Sequence, residues 1–210
     1  MTSSSRFLCW LVGIYLVLFV ALAIHPIDRP TWFVENLTVW IILGIILLLF
    51  ARGVRFSKTA YSLMFVLIYL HTIGGHYTFA LVPFDAITNF FGFARNHFDR
   101  LAHFSVGFYA FAIAEWLQRR KLVVNRWLLW TYPIFTIATV AMSYEVIEWI
   151  YATLANPEAG IAYLGSQGDI WDAQKDMFAD TLGAIFAVIL FFVLQKSGHK
   201  AETRLVGKHP

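Results

Sequence analysis

Six runs of apolar residues, each of membrane-spanning length, constrain this chain more than any other feature. They fall at Phe7–Ile24, Val34–Phe50, Thr59–Gly75, Leu101–Leu117, Trp127–Tyr151 and Met177–Leu194. A helical crossing of the bilayer core takes about 20 such residues, and a helix satisfies its own backbone polar groups where no water can. Only 14% of the 210 residues are charged, against about 25% in soluble domains. A soluble globular domain and a disordered chain are both excluded. The expected fold is all-α: a polytopic membrane bundle of six transmembrane helices forming one domain over residues 1–195. A polar, loose cytoplasmic tail is expected at 196–210. The single cysteine, Cys9, leaves no internal disulfide framework and no thiolate zinc site.

Charge placement sets the orientation. Arg6 precedes the first run, and Arg52, Arg55 and Lys58 lie between the second and third. Arg119, Arg120, Lys121 and Arg126 lie between the fourth and fifth, and Lys196, Lys200, Arg204 and Lys208 follow the sixth. The other side holds only Arg29, Arg95, Arg100 and Lys175. By the positive-inside rule both termini are cytoplasmic. The net charge of +3 is then a topology signal and not a nucleic-acid footprint. The first run also has signal-peptide features, Arg6 before it and Ala21-Leu22-Ala23 after it, but its length and the bulk of Tyr15 and Phe19 favour a retained helix.

The ionisable residues inside the runs share a depth. At ~1.5 Å per residue from the cytoplasmic end, His71, His103, Glu145 and Asp180 lie roughly 20–27 Å in, with His76, Asp99, Glu148 and Asp176 slightly further out. Asp99 and His103 are spaced i, i+4 and Glu145 and Glu148 i, i+3, so each pair shares a helix face. Asp169, Asp172, Asp176 and Asp180 also share one face, provided the last helix extends outward past Met177, with Gly165 and Gly168 as breakers before it. Carboxylates crowded at one depth repel and are costly to desolvate, so they call for cations, protons, arginines or water. Intramembrane ionisable groups are functional candidates for that reason.

Histidine and carboxylates without thiolate form a ligand set for a divalent ion, whose identity the residue types leave open. In this reading His103, Glu145, Asp180 and Asp99 hold the metal, Glu148 or Asp176 is the general base, and Arg95 and Arg100 hold an anionic head group. Simpler roles exist for some residues. His71 alone fits a packed, hydrogen-bonded histidine, and Asp99 fits a first-turn charge favoured by the helix dipole. Glu115 pairs with Arg119 at i, i+4. Gly74-Gly75 is expected to end or kink the third helix. The connector Leu81–Asn96 alternates phenylalanines with polar residues and predicts a short helix in the outer interface.

The stretches NHFDRLAHFSVGF (from Asn96), SYEVIEWIYA (from Ser143) and GDIWDAQKDMFADTLGA (from Gly168), with HYTF at His76, resemble the bacterial YjdF-like inner-membrane proteins. The resemblance spans nearly the whole chain. It implies a multi-pass inner-membrane protein and supplies no activity or catalytic residues. A fainter likeness, to VanZ-like membrane proteins, rests on Asp176, Asp180 and Gly183 and carries no function over. Three functions follow from the residues. One is a metal-dependent enzyme acting at the outer leaflet on a lipid or lipid-linked substrate. The others are a non-catalytic scaffold, favoured by the small residues Gly107, Ala110, Ala112 and Ala114, and an ion-coupled carrier. The oligomeric state is left open.

Overall fold

The computed structural model describes residues 3–154, 164 and 166–206. Its helices are α1 (Ser3–Leu22), α2 (Arg29–Ala51), α3 (Lys58–Tyr77), α4 (Asp85–Phe91), α5 (Phe98–Val106), α6 (Tyr109–Arg119), α7 (Arg126–Leu154) and α8 (Asp172–Val206). No strand occurs among the described residues. Four helices are long and apolar enough to cross a membrane: α1, α2, α7 and the Asp172–Ser197 part of α8.

Local chemistry explains the boundaries. The Asp28 side chain accepts from the Thr31 N–H at 2.8 Å and caps α2, whose first turn carries Pro30. Ser57 caps α3 through the Ala60 N–H at 3.1 Å. The α3 N-terminus gains a second acceptor in Glu115, which takes the Ser57 N–H at 2.7 Å and pairs with Arg119 at 3.1 Å. That pair was anticipated at i, i+4; its use as a cap between helices was not.

Three expectations are corrected. The Leu101–Leu117 run is not one regular α-helix: Gly107 and Phe108 stay right-handed (φ −55° and −64°), but the bonds there close over three residues, Phe108 N–H to the Ser105 carbonyl at 3.1 Å and Ala110 N–H to the Gly107 carbonyl at 3.0 Å, which divides the run into α5 and α6. The cause is packing: a side chain on Gly107 would run into the backbone of Gly183 and Ala184, and one on Gly183 into the Phe104 carbonyl. Two glycines let the chains touch backbone to backbone where α5 meets α8, the arrangement small residues permit in membranes. Second, Gly74 and Gly75 do not end α3, which runs on to Tyr77 and is capped by Thr78 in the left-handed region (φ 55°). Gly74 instead makes room for the Phe79 ring, and a side chain on Gly75 would press on Glu35 of α2 at 3.0 Å. Third, the polar segment after Lys196 continues α8 as helix to Val206. The connector helix is found as α4, with Phe90 81% exposed. Gly168 makes a turn at φ 84° before α8, and Gly165 lies outside the described residues.

The apolar core runs along α1, α2, α3, α6 and α8, with Leu129 and Ile137 of α7, and includes Tyr15, Val39, Phe65, Ala110 and Val188. α3 is the central helix, packed by α1, α2, α5 and α6, while α8 is packed by α5, α6 and α7. The acidic ends of α5, α7 and α8 and the His71 end of α3 meet beside this core.

Candidate functional site

The first turns of α5 and α8 lie side by side, so residues spaced at four on each helix face one another. Asp99 and His103 project from α5; Asp172, Asp176 and Asp180 project from α8. His103 Nδ1 is 3.3 Å from Asp180 Oδ2, and its Nε2 is 3.6 Å from Asp99 Oδ1 and 3.7 Å from Asp176 Oδ1. Asp180 is 1% exposed, Asp176 3% and Asp99 9%. In a neutral His103 the proton sits on Nδ1 and is donated to Asp180. Nε2 then offers its lone pair between Asp99 and Asp176. One donor atom each from Asp99, His103 and Asp176 can be chosen so that all lie within 4.8 Å of one another.

Above this group the arginines are engaged by aspartates. Arg95 donates to Asp172 at 2.8 Å and to the Ser166 carbonyl at 2.7 Å. Arg100 is paired with both Asp172 and Asp176, and also donates to the Asp172 carbonyl at 3.2 Å. Asp169 precedes α8, takes the Trp171 N–H at 3.1 Å and is paired with Lys175 at 2.6 Å. The hydrogen bond from Lys175, followed by that from Trp171, holds the Asp169 carboxyl below its ordinary value. Burial, then the charges of Arg95 and Arg100, push His97 below its own. Of the four aspartates expected on one helix face, three are in the helix and Asp169 turns the chain into it.

A cavity of about 420 Å³ opens beside His103. Asp99, His103 and Asp180 line one side of it and Glu148 of α7 a second. Glu145 is half-buried and outside this lining; its Oε1 has no hydrogen-bond partner among the described residues. The third side is formed by Glu35 of α2 and His71 of α3, with His71 Nε2 2.9 Å from Glu35 Oε2 and both residues buried. The Phe79 ring stands edge-on to the imidazole, 5.1 Å between centroids. Glu35 was missed from the sequence. It stands in the second turn of α2, at the start of the apolar run. With Asn36 it forms the one polar pair there, and that was the available signal.

Helices long and apolar enough to cross a membrane, packed around a cavity lined by acids and imidazoles, mark the class: a helical membrane protein with a polar site among its helices. The chain matches the family described as predicted membrane protein (DUF2238) over residues 7–197. It is 33% identical over 180 residues to inner membrane protein YjdF of Escherichia coli (strain K12), covering 83% of this chain and 82% of that protein. No solved structure matches it. The chain belongs to this membrane-protein family and is a protein of the bacterial inner membrane, as the motif stretches around His103, Glu145 and Asp176 implied.

Proposed function

We propose that the chain is a metal-dependent membrane enzyme acting at the outer leaflet on a lipid or lipid-linked substrate. The observation that carries this reading is the convergence of Asp99, His103 and Asp176 donor atoms within 4.8 Å beside the cavity. Ligands ~2.0–2.1 Å from a tetrahedral ion stand about 3.3 Å apart, so separations of 3.6 and 3.7 Å around His103 Nε2 need little closure. Asp180, behind Nδ1, orients the ring as a carboxylate partner does for a ligating histidine. Glu148 faces the cavity and is the general base; Glu145, beside it on α7, tunes the local charge. Arg95 and Arg100 hold the aspartates in place and are the groups nearest an anionic head group at the outer surface.

The topology that goes with this reading has six crossings and both termini in the cytoplasm. α3 and the broken pair α5–α6 supply the two crossings beyond the four apolar ones. Residues 1–195 form the single membrane domain, α1 included, and 196–210 project from it.

The test is elemental analysis of detergent-purified protein beside His103→Ala and Asp176→Asn. The expected result is close to one divalent ion per wild-type chain and at least a tenfold loss in each variant. A well-folded wild-type protein without metal overturns the enzyme reading. One observation favours a scaffold in that event: Arg100 already neutralises Asp176, so the cluster can hold α5 to α8 by itself.

A further inference from the structure

The cavity is graded along the membrane normal. Its charged residues, Glu35, His71, Asp99, His103, Glu148 and Asp180, all sit at one end. The remainder of the lining is apolar apart from Thr38 and Tyr144, and on α2, α3, α5 and α7 it runs away from that end. On α2 it reaches Ile42, seven residues below Glu35; on α7 it reaches Val140, eight residues below Glu148. At ~1.5 Å per residue both are roughly 10–12 Å deeper than the charged end. Leu67 of α3 and Val106 of α5 close the back.

The two helices that carry this apolar part do not close on each other. α2 packs on α3, and α7 packs on α6 and α8, but α2 and α7 share no substantial interface among the described residues. Both are long and apolar enough to cross a membrane. Leu37 and Ile41 of α2 and Val140 and Ile147 of α7 line the cavity and are 45–57% exposed, so no protein covers this side of it. The gap between these helices therefore opens toward the hydrocarbon of the bilayer, where the available occupant of an apolar slot is an acyl chain. The charged end restricts the head group. Its lining has four carboxylates and no Lys or Arg among the described residues. Asp180 Oδ1 is buried there without a hydrogen-bond partner among them. Such a surface rejects a bare anion and attracts an ammonium group.

We propose that the cavity is a lipid site filled sideways through the gap between α2 and α7. One acyl chain lies along Ile42, Leu67 and Val140, and an amine-bearing, zwitterionic head group lies between Glu35 and Glu148. This rests on the enzyme reading only for the chemistry done on the lipid; occupancy of the slot stands apart from it.

The experiment uses full-length protein in liposomes of phosphatidylethanolamine and phosphatidylglycerol, with trace phosphatidylethanolamine bearing a diazirine in one acyl chain. After photolysis, peptide mass spectrometry locates the adducts. Leu67 is 4% exposed on the central helix, out of reach of bulk lipid, so adducts at Leu67 report a chain inside the cavity. The expected result is adducts at Leu67 that fall at least tenfold in Ala141→Trp, which plugs the α7 wall. Thr38→Trp on the α2 wall should do the same and covers the case that the first variant does not fold. Excess phosphatidylethanolamine should compete several-fold better than phosphatidylglycerol. Absence of adducts at Leu67 in the wild type, or adducts unchanged in both folded plug variants, overturns the slot. Equal competition by the two lipids overturns the head-group assignment. Metal content is measured on the same samples. Metal without interior adducts rejects this proposal and spares the metal centre, and interior adducts without metal do the reverse.

Discussion

Single residues where α5 meets α8 carry strong mutual dependence. Arg100 is mostly buried and bound by Asp172 and Asp176. Removing one partner of a buried, hydrogen-bonded pair leaves the other charge uncompensated, which costs about 3–5 kcal/mol. Arg100→Ala should destabilise the purified protein by about 3 kcal/mol in denaturant titration, and Arg100→Ala with Asp176→Ala should cost less than the two single changes added. Additive losses would show that the pair is not coupled. Asp169 offers a pH-resolved case. Its folded-state value is depressed, first by the Lys175 hydrogen bond. It therefore contributes stability above its unfolded value, and that contribution is lost as pH falls through the folded value. Lys175→Met should be less stable than wild type near neutrality, and the two should converge in acid. A constant gap across pH would mean that Lys175 acts through packing. These aspartates were legible from spacing alone because four-residue steps on a helix are geometrically fixed. The Glu35–His71 contact was not, since it joins two helices whose rotation about their axes no local pattern sets.

Elements show the same division. Five of the six apolar runs appear as single long helices, four of them apolar enough to cross a membrane, because hydropathy and length decide a crossing without reference to neighbours. The Leu101–Leu117 run failed the test for a tertiary reason. Gly107 is a mild helix breaker, and whether the regular α-helical bonding lapses there depends on what it meets across the interface. What it meets is Gly183. This contact lies one turn below His103 and just after Asp180, so it sets the distance between their side chains. Gly107→Ala or Gly183→Ala places a methyl group inside backbone that cannot give way, an overpacking of about 3 kcal/mol or more. The expected outcome is a lower melting temperature in detergent and loss of bound metal in whatever protein still folds. An alanine at either position with unchanged stability would show that the close approach of α5 to α8 is not real. The glycines of α3 went astray for a related reason: their small size serves Phe79 and Glu35, and the helix bonds pass through them undisturbed.

At the scale of the whole molecule, the site can meet outer-leaflet lipid only if the chain alternates sides in the proposed way. Two of the proposed crossings are not self-evident. α3 carries His71, Thr72 and His76, and α5–α6 is broken. Each is nevertheless long enough: 20 residues in α3 and the 98–119 stretch of α5–α6 give roughly 30 and 33 Å at ~1.5 Å per residue, the thickness of the hydrocarbon core. Three exposed positions isolate them. Only α3 and its flanking loops separate Arg52 from α4, and only α5–α6 and their flanking loops separate α4 from Leu122. In a Cys9→Ser background, single cysteines at Arg52, Phe90 and Leu122 are treated with a membrane-impermeant maleimide in intact cells. Phe90→Cys should react, whereas Arg52→Cys and Leu122→Cys should react only after permeabilisation. Reaction of Arg52→Cys together with Phe90→Cys would mean that α3 does not cross; reaction of Leu122→Cys with Phe90→Cys would mean the same for α5–α6. Either result would leave a helix end that carries His71 or His103 stranded at the wrong level. The shared layer of acids and imidazoles would then lose the topology that lets it face the outer leaflet.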